Sequence, residues 1–287
     1  MTKVGLLGGD EREKVLISLL VDKGYKVKVL HSSNCSDENV EYTTDITKLT
    51  ECCKAIIAPM SGTDEEGYLK STFVDGKIRL DDSFVGLLKK DQLFFIGIAR
   101  PVLKKPLTDK EINFIEMAKL SDVAILNAIP TAEGAIKEAI ARTDFTIYNS
   151  KVLITGLGKV GLTLAWRLKA LGAETYSATR DSGSIARGKD LGLKMISYNN
   201  LDDYLSEMEI IFNTVPALIF DKSYLSVMKK DVVILDLASS PGGIDFAAAQ
   251  NLGINAALLP GLPGKVAPIT SAKIMADVIH DKVIGLN

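Results

Sequence analysis

The sequence predicts an α/β protein of two doubly wound parallel-sheet domains with an interdomain cleft. Three observations carry that expectation. Short apolar runs alternate with amphipathic stretches along the whole chain. A glycine-rich turn with G-x-G-x-x-G spacing opens the second half. The 287 residues are too many for one small core, and a 47% apolar content can fill two.

In the first half, Lys3–Gly8, Lys26–Leu30, Lys54–Pro59, Leu93–Ala99 and Val123–Ala128 read as buried strands. Helical patterns lie between them at Glu11–Lys23, Ile46–Cys52, Asp82–Lys89 and Asp109–Leu120, the last opened by the capping-box sequence Thr108-Asp-Lys-Glu111. Five strands with interleaved helices imply a parallel sheet covered on both faces. The first turn, Gly5-Leu-Leu-Gly8-Gly9-Asp10, lacks dinucleotide spacing, so residues 1–130 are expected to be a substrate domain of related architecture. Pro130 reads as the break after the fifth strand. Thr131 then caps a helix with Ala132, Ala135, Ile136, Ala139 and Ile140 on one face. With the polar stretch Thr143–Ser150, this makes residues 131–148 a connecting helix and linker.

The second half begins with a short strand, Val152–Thr155, followed by Gly156, Gly158 and Gly161. Leu164, Ala165, Leu168 and Leu171 continue at helical spacing. The order strand, glycine turn, helix is that of a Rossmann-like dinucleotide site. Gly156 permits the tight turn, Gly158 lets backbone approach a pyrophosphate, and Gly161 lets helix and strand pack closely. The helix start at Lys159 and Val160 offers N–H groups and a positive dipole end to phosphate. The next strand, Ala173–Ala178, ends at Thr179-Arg180-Asp181-Ser182-Gly183-Ser184, where an NAD-specific fold carries an acid for the ribose 2′-hydroxyl. Arg180 can instead pair with a 2′-phosphate, with the hydroxyls of Thr179, Ser182 and Ser184 completing a cradle. The expected cofactor is therefore NADP(H) in preference to NAD(H), with Asp181 facing solvent. The competing reading makes Arg180 an ordinary surface arginine.

Further strands are expected near Lys194–Tyr198, Glu209–Val215, Val232–Ala238 and Ile254–Pro260, completing a cofactor domain over residues 149–270. A helix from about Ser271 to Val283 lies in the closing segment 271–287 and could pack back on the first half.

Ligands of open α/β sheets bind outside the carboxyl ends of the strands. Asn213, Thr214, Val215 and Pro216 are expected to flank the nicotinamide-side ribose, with Asp236 and Ser239 near the reactive ring. The third strand-end loop of this half is Pro260–Pro268. In the first half the corresponding loops are Gly8–Arg12, Pro59–Thr63 and Gly97–Pro101, expected to face the nicotinamide across the cleft. Arg12 and Arg100 are the first candidate cations for an acidic substrate, each with the competing reading of a surface or structural arginine, and Lys265 of the Pro260–Pro268 loop is a further candidate. Proton transfer has no assigned residue.

The net charge of −2 provides no basic excess for nucleic acid or an anionic membrane, and no apolar run reaches spanning length. Cys35, Cys52 and Cys53 form neither a disulfide framework nor a spaced metal motif, and with only His31 and His280 no metal site is expected. The chain reads as soluble, reduced and cytoplasmic. Neither histidine lies in a loop expected to face the nicotinamide, so the usual histidine acid/base for oxidising an alcohol is missing.

Gly8-Gly-Asp-Glu-Arg12, Asn127-Ala-Ile-Pro-Thr-Ala-Glu-Gly134, Thr143-Asp-Phe-Thr-Ile147, Gly156-Leu-Gly-Lys-Val-Gly161, Asp236-Leu-Ala-Ser-Ser-Pro-Gly-Gly243 and Pro260-Gly-Leu-Pro-Gly264 together resemble the A subunits of dipicolinate synthase from spore-forming bacteria. The second half is also similar to the NAD(P)-binding domain of alanine dehydrogenase. The resemblance implies oxidation of a dihydrodipicolinate-type intermediate of the lysine pathway to dipicolinate, a small dicarboxylate, with NADP⁺ as acceptor. It also implies that the partner is a flavoprotein B subunit and that the setting is the mother-cell cytoplasm during sporulation. Assembly as a homo-oligomer is expected. Two other readings stay open: an NADP-dependent dehydrogenase of open-chain amino or oxo acids, and a non-catalytic NADP-binding regulatory subunit.

Overall fold

A computed structural model describes residues 1–31, 38–72, 74 and 76–285, so Cys35 lies outside the described residues. The chain divides into two compact units, one formed by Met1–Leu126 with Ala267–Asn287 and the other by Asn127–Val266.

From the N-terminus run β1 (Lys3–Leu6), α1 (Glu11–Asp22), β2 (Lys26–Leu30), β3 (Val40–Thr43), α2 (Ile46–Cys52) and β4 (Ala55–Ile57). Then follow α3 (Asp82–Val85), β5 (Leu93–Ile96), α4 (Pro101–Asp109), β6 (Asn113–Glu116) and α5 (Ser121–Ile140). The six strands form one parallel sheet in the order β3-β2-β1-β4-β5-β6. Successive side chains point to opposite faces, and each face packs into its own core. Phe95, Ile57 and Leu6 join one core with Leu16 and Leu20 of α1. Phe94, Ile56 and Leu7 join another with Leu49, Phe84, Leu103 and Leu107.

The second unit contains β7 (Lys151–Thr155), α6 (Lys159–Ala170), β8 (Glu174–Ala178), α7 (Ser182–Asp190), β9 (Lys194–Ile196) and α8 (Asp202–Leu205). It continues through β10 (Ile210–Asn213), α9 (Lys222–Val227), β11 (Val233–Asp236), α10 (Phe246–Leu252), β12 (Asn255–Leu258) and α11 (Leu262–Val266). Its parallel sheet is ordered β12-β11-β10-β7-β8-β9, the same winding as the first. The last helix, α12 (Pro268–Ile284), belongs to the first unit. There Met275 and Ile279 enter the core with Leu16 and Leu20, and the Tyr25 hydroxyl and His280 Nδ1 share a 2.9 Å hydrogen bond.

Three features of the first half differ from the sequence expectation. β3 is an additional strand, missed because an edge strand needs little apolar character and only Val40 and Thr43 are buried in it. The Thr108–Glu111 pattern does not start a helix. Pro101 at the first helical position starts α4, and Thr108 lies near its end with its hydroxyl donating to the Lys104 carbonyl at 3.0 Å. Glu111, at φ 55°, then turns the chain into β6. Finally, Val123–Ala128 is helical, not extended, and α5 continues through Pro130 and Thr131. A short apolar run fits a buried helix as well as a strand. The Thr131 hydroxyl donates to the Asn127 carbonyl at 2.7 Å inside that helix, so it caps nothing.

Ile279 is fully buried and Ile269, on the same helix, is 57% exposed. Ile279→Ala is expected to destabilise the chain by about 2–5 kcal/mol, the usual cost of emptying such a site. Ile269→Ala should change little. Urea denaturation followed by circular dichroism would show it, and matching midpoints for the two variants would contradict the packing.

Candidate functional site

β7 and β10 are neighbours, with β8 on the far side of β7, so the strand order reverses between β7 and β10. A crevice at that reversal is where open α/β sheets bind ligands. The register aligns Thr155 with Asn213 and Asn213 with Asp236 at the carboxyl ends of β7, β10 and β11. In-register parallel partners share a face, and all three side chains are fully buried. The Thr155 hydroxyl donates to Asn213 Oδ1 at 2.8 Å, and Asn213 Nδ2 donates to Asp236 Oδ1 at 2.9 Å. Asn213 also holds both backbone groups of Val215, accepting from its N–H and donating to its carbonyl. Asp236 accepts from the N–H of Ala238 at 3.0 Å and of Gly243 at 2.6 Å. A side chain at position 243 would press within 2.5 Å of Asn213 Nδ2 and of the Ala217 carbonyl, which explains its glycine.

Above this row lies the glycine turn. Gly156 has φ +84°, and a Cβ there would come within 2.5 Å of Thr214 Oγ1. That hydroxyl donates to the Thr155 carbonyl at 2.9 Å, tying the loops after β7 and β10 together. A Cβ on Gly161 would overlap the Gly156 carbonyl. Gly158 is different: a Cβ there would meet no protein atom within 4 Å, and it caps α6 without any side-chain hydrogen bond. The N-terminus of a 12-residue helix, with Lys159 and Val160 in its first turn, therefore opens beside a residue whose smallness the protein itself does not require. A pyrophosphate fits that combination.

The register of β8 and β9 pairs Ala178 with Ile196, so Thr179–Arg180 and Ser197–Tyr198 leave the sheet side by side. They line a hollow of about 660 Å³ together with Lys189 and Asn199. The Arg180 guanidinium lies 5.2 Å from the centre of the Tyr198 ring. Burial raises the Tyr198 phenol above its ordinary pKa, against the opposing pull of Arg180. The expected serine cradle does not form. Ser184 donates its N–H to Asp181 at 2.7 Å and its hydroxyl to the Leu157 carbonyl at 3.3 Å, and Ser182 is exposed outside the lining. Asp181 is exposed as the N-cap of α7, and its carboxyl titrates below the ordinary value because of the Ser184 N–H. Lys189, Tyr198 and Asn199 are not legible as site residues in the sequence, since no linear spacing links them to Arg180.

The corresponding turn of the first unit is filled by its own chain. Asp10 caps α1, and Glu13 accepts from the Asp10 N–H and the Met60 N–H, both at 2.8 Å. Gly9 donates to Ser71 Oγ at 3.0 Å, and a Cβ on Gly9 would strike Glu13. Where the second unit is open, the first holds a buried carboxylate. Burial pushes the Glu13 carboxyl up to about 7, against the pull of Arg12 and of the Met60 and Asp10 amides, with Asp10 adding repulsion.

Two candidate reacting groups are corrected. The Arg12 guanidinium is buried and held by both oxygens of Asp10, at 3.0 and 2.7 Å, so it is a structural ion pair and not a free substrate cation. The Asp236 carboxylate is enclosed by three donors and serves to position its loop. Arg100, the N-cap of α4, pairs with Glu65 at 3.0 Å in an exposed position. Lys265 is exposed on α11, a short helix where a loop was expected. Leu262 and Val266 of α11 pack against Gly134 of α5. Ser239 is exposed, its carbonyl accepting from the Gly242 N–H at 2.9 Å, and Pro216 is exposed after Val215. No cluster of metal-ligating side chains occurs among the described residues, and none of their helices is long and apolar enough to cross a membrane.

Two sheets of this winding, one with an open glycine turn, define a two-domain α/β protein of the dehydrogenase type. The family of the N-terminal domain of the dipicolinate synthase A subunit matches residues 3–118, and "D-isomer specific 2-hydroxyacid dehydrogenase, NAD binding domain" matches residues 117–241. The A subunit of dipicolinate synthase from Bacillus subtilis (strain 168) is 32% identical over 96% of this chain and 94% of its own. The crystal structure of the corresponding protein from Bacillus halodurans is 33% identical, with a TM-score of 0.90 over 98% of this chain and 97% of that one. An L-alanine dehydrogenase structure, 15% identical with a TM-score of 0.61 over 98% and 89%, shares the fold. The chain belongs to the family of dipicolinate synthase A subunits. These matches support an oxidoreductase with a nicotinamide-cofactor domain.

Asp236→Ala orphans three buried donors, each at about 1–3 kcal/mol. A clearly lowered melting temperature is expected, and an unchanged one would refute the positioning role. Glu13 supplies a test of opposite kind. Its folded pKa of about 7 exceeds that of the unfolded chain, so its stabilising contribution is full below the unfolded value and is lost as pH rises through about 7. Glu13→Gln removes this dependence. The deficit in melting temperature of the variant against wild type should narrow from about pH 5 to about pH 8, and a constant deficit would count against it.

Proposed function

We propose that the chain is the NADP-dependent subunit of a dipicolinate synthase, acting with a flavoprotein B subunit in the mother cell during sporulation. The carrying observation is the open turn at Gly158, where an uncapped helix start faces space that a pyrophosphate can fill. The NADP choice is supported by Arg180, whose guanidinium stands free of any carboxylate at the end of β8 among the described residues. Membership of the family supports a dihydrodipicolinate-type substrate.

Gly156, Gly158, Lys159, Val160 and Gly161 would hold the pyrophosphate through backbone groups, and Thr179 and Arg180 the adenosine end. Thr214, Val215, Pro216 and Ser239 would border the nicotinamide ribose and ring. Once bound, the nicotinamide supplies a hydride acceptor. The substrate ring gives up one hydride and one proton, becoming aromatic, and the proton passes to water. Aromatisation supplies driving force, so the protein's part is orientation, worth several kcal/mol in well-positioned reactions. Lys265, exposed on α11, is a candidate cation for a substrate carboxylate.

The test incubates the purified chain and its B subunit with the lysine-pathway precursor and NADP⁺, following dipicolinate absorbance. Dipicolinate above the uncatalysed background is expected only when both proteins are present. Turnover of open-chain amino or oxo acids by this chain alone would replace the reading with an amino-acid dehydrogenase. Full production by the flavoprotein without this chain would make the chain a regulatory one.

A further inference from the structure

Resting on the reading that the second unit binds NADP(H), the geometry points to Lys189 and Tyr198 as specificity-determining residues that complete an adenosine 2′-phosphate subsite around Arg180.

The hollow between the ends of β8 and β9 joins cations and neutral polar groups to the apolar side chains of Ile185, Met195 and Ile196. Arg180 and Lys189 contribute two cations, Thr179 and Ser197 hydroxyls, Asn199 an amide, and no acidic residue lines it among the described residues. Neither cation forms an ion pair with a carboxylate among the described residues, although 18 such pairs occur elsewhere in them. Two cations lining one hollow with no carboxylate among its lining residues suit a dianionic phosphate. The nearest acid in sequence, Asp181, is tied to the Ser184 N–H as the cap of α7, so its charge is engaged at the helix start.

Tyr198 acts through Arg180. A guanidinium held over an aromatic ring by the ring's quadrupole keeps its charge and can still donate N–H groups to a phosphate. Tyr198 is half-buried, and its ring lies 5.2 Å from the Arg180 guanidinium, which is otherwise exposed. It is a positioning residue, and Lys189 supplies the second charge.

Binding of NADP⁺, NAD⁺, 2′,5′-ADP and 5′-AMP by the full chain is compared by calorimetry for wild type, Lys189→Met, Tyr198→Leu and Tyr198→Phe. Lys189→Met should weaken NADP⁺ and 2′,5′-ADP by about tenfold or more, the usual loss for a charged hydrogen bond, and leave NAD⁺ and 5′-AMP unchanged. Tyr198→Leu should weaken the same two phosphate ligands, and Tyr198→Phe should restore them, since a ring suffices. Wild-type affinity for NADP⁺ in Lys189→Met, or equal losses for NAD⁺ and NADP⁺, would overturn the subsite and leave the cofactor reading standing. A wild-type chain that binds neither dinucleotide would overturn the cofactor reading itself.

Discussion

The buried hydrogen-bonded row Thr155–Asn213–Asp236 is the constraint on which the second unit's site depends. Each residue ends a different strand, and parallel register places all three on one face, away from solvent. A buried polar group without a partner is costly, so the row is stable only when complete. Its completion dictates the loops. Asn213 sets the path of Val215, and Asp236 draws in the amides of Ala238 and Gly243. The Asp-Leu-Ala-Ser-Ser-Pro-Gly-Gly sequence is then the chain that can wrap a buried carboxylate this tightly. The loops that would border a nicotinamide are held from below by side chains that never reach it.

Two sheets of identical winding differ in the turn after their first strand. Both place a glycine-rich turn after the first strand of the sheet. In the first unit, Ser71 accepts from the Gly9 amide and Glu13 from the Asp10 amide of the turn. In the second, Gly158 faces no protein atom and α6 begins without a side-chain cap. An internal carboxylate does in one turn what a phosphate oxygen can do in the other. Architecture alone does not assign the cofactor; occupancy of the turn does.

The strands of the second unit are legible in the sequence to within a few residues, the central β7, β10 and β11 because they are largely apolar runs. The glycine spacing itself locates the strand-to-helix turn. Legibility fails where local signals have two meanings. Val123–Ala128 is apolar enough for a buried strand, yet it belongs to a helix that tolerates Pro130. The Thr108–Glu111 pattern imitates a helix start because its residue types also suit the end of α4. Site residues fail for another reason. Arg12 and Asp236 do lie where strands end, but sequence does not show that Asp10 and three donors occupy them. Tyr198 meets Arg180 only through the pairing of β8 with β9, and Lys189 of α7 lines the same hollow.

The loss of Arg12 and Asp236 as reacting groups bears on the proposed chemistry. Asp236 has no free oxygen directed to a substrate, and the two histidines are not in the strand-end loops of the second unit. No strong base therefore stands in this buried row. For oxidation of an alcohol this would be a serious deficit, since the hydroxyl proton must leave as hydride departs. A dihydro ring is less demanding, because the gain of aromaticity drives the loss of both hydrogens and water suffices for the proton. What such a reaction needs is a ring held flat against a nicotinamide. A row of buried side chains that fixes loop backbone, without offering a base, is suited to that requirement.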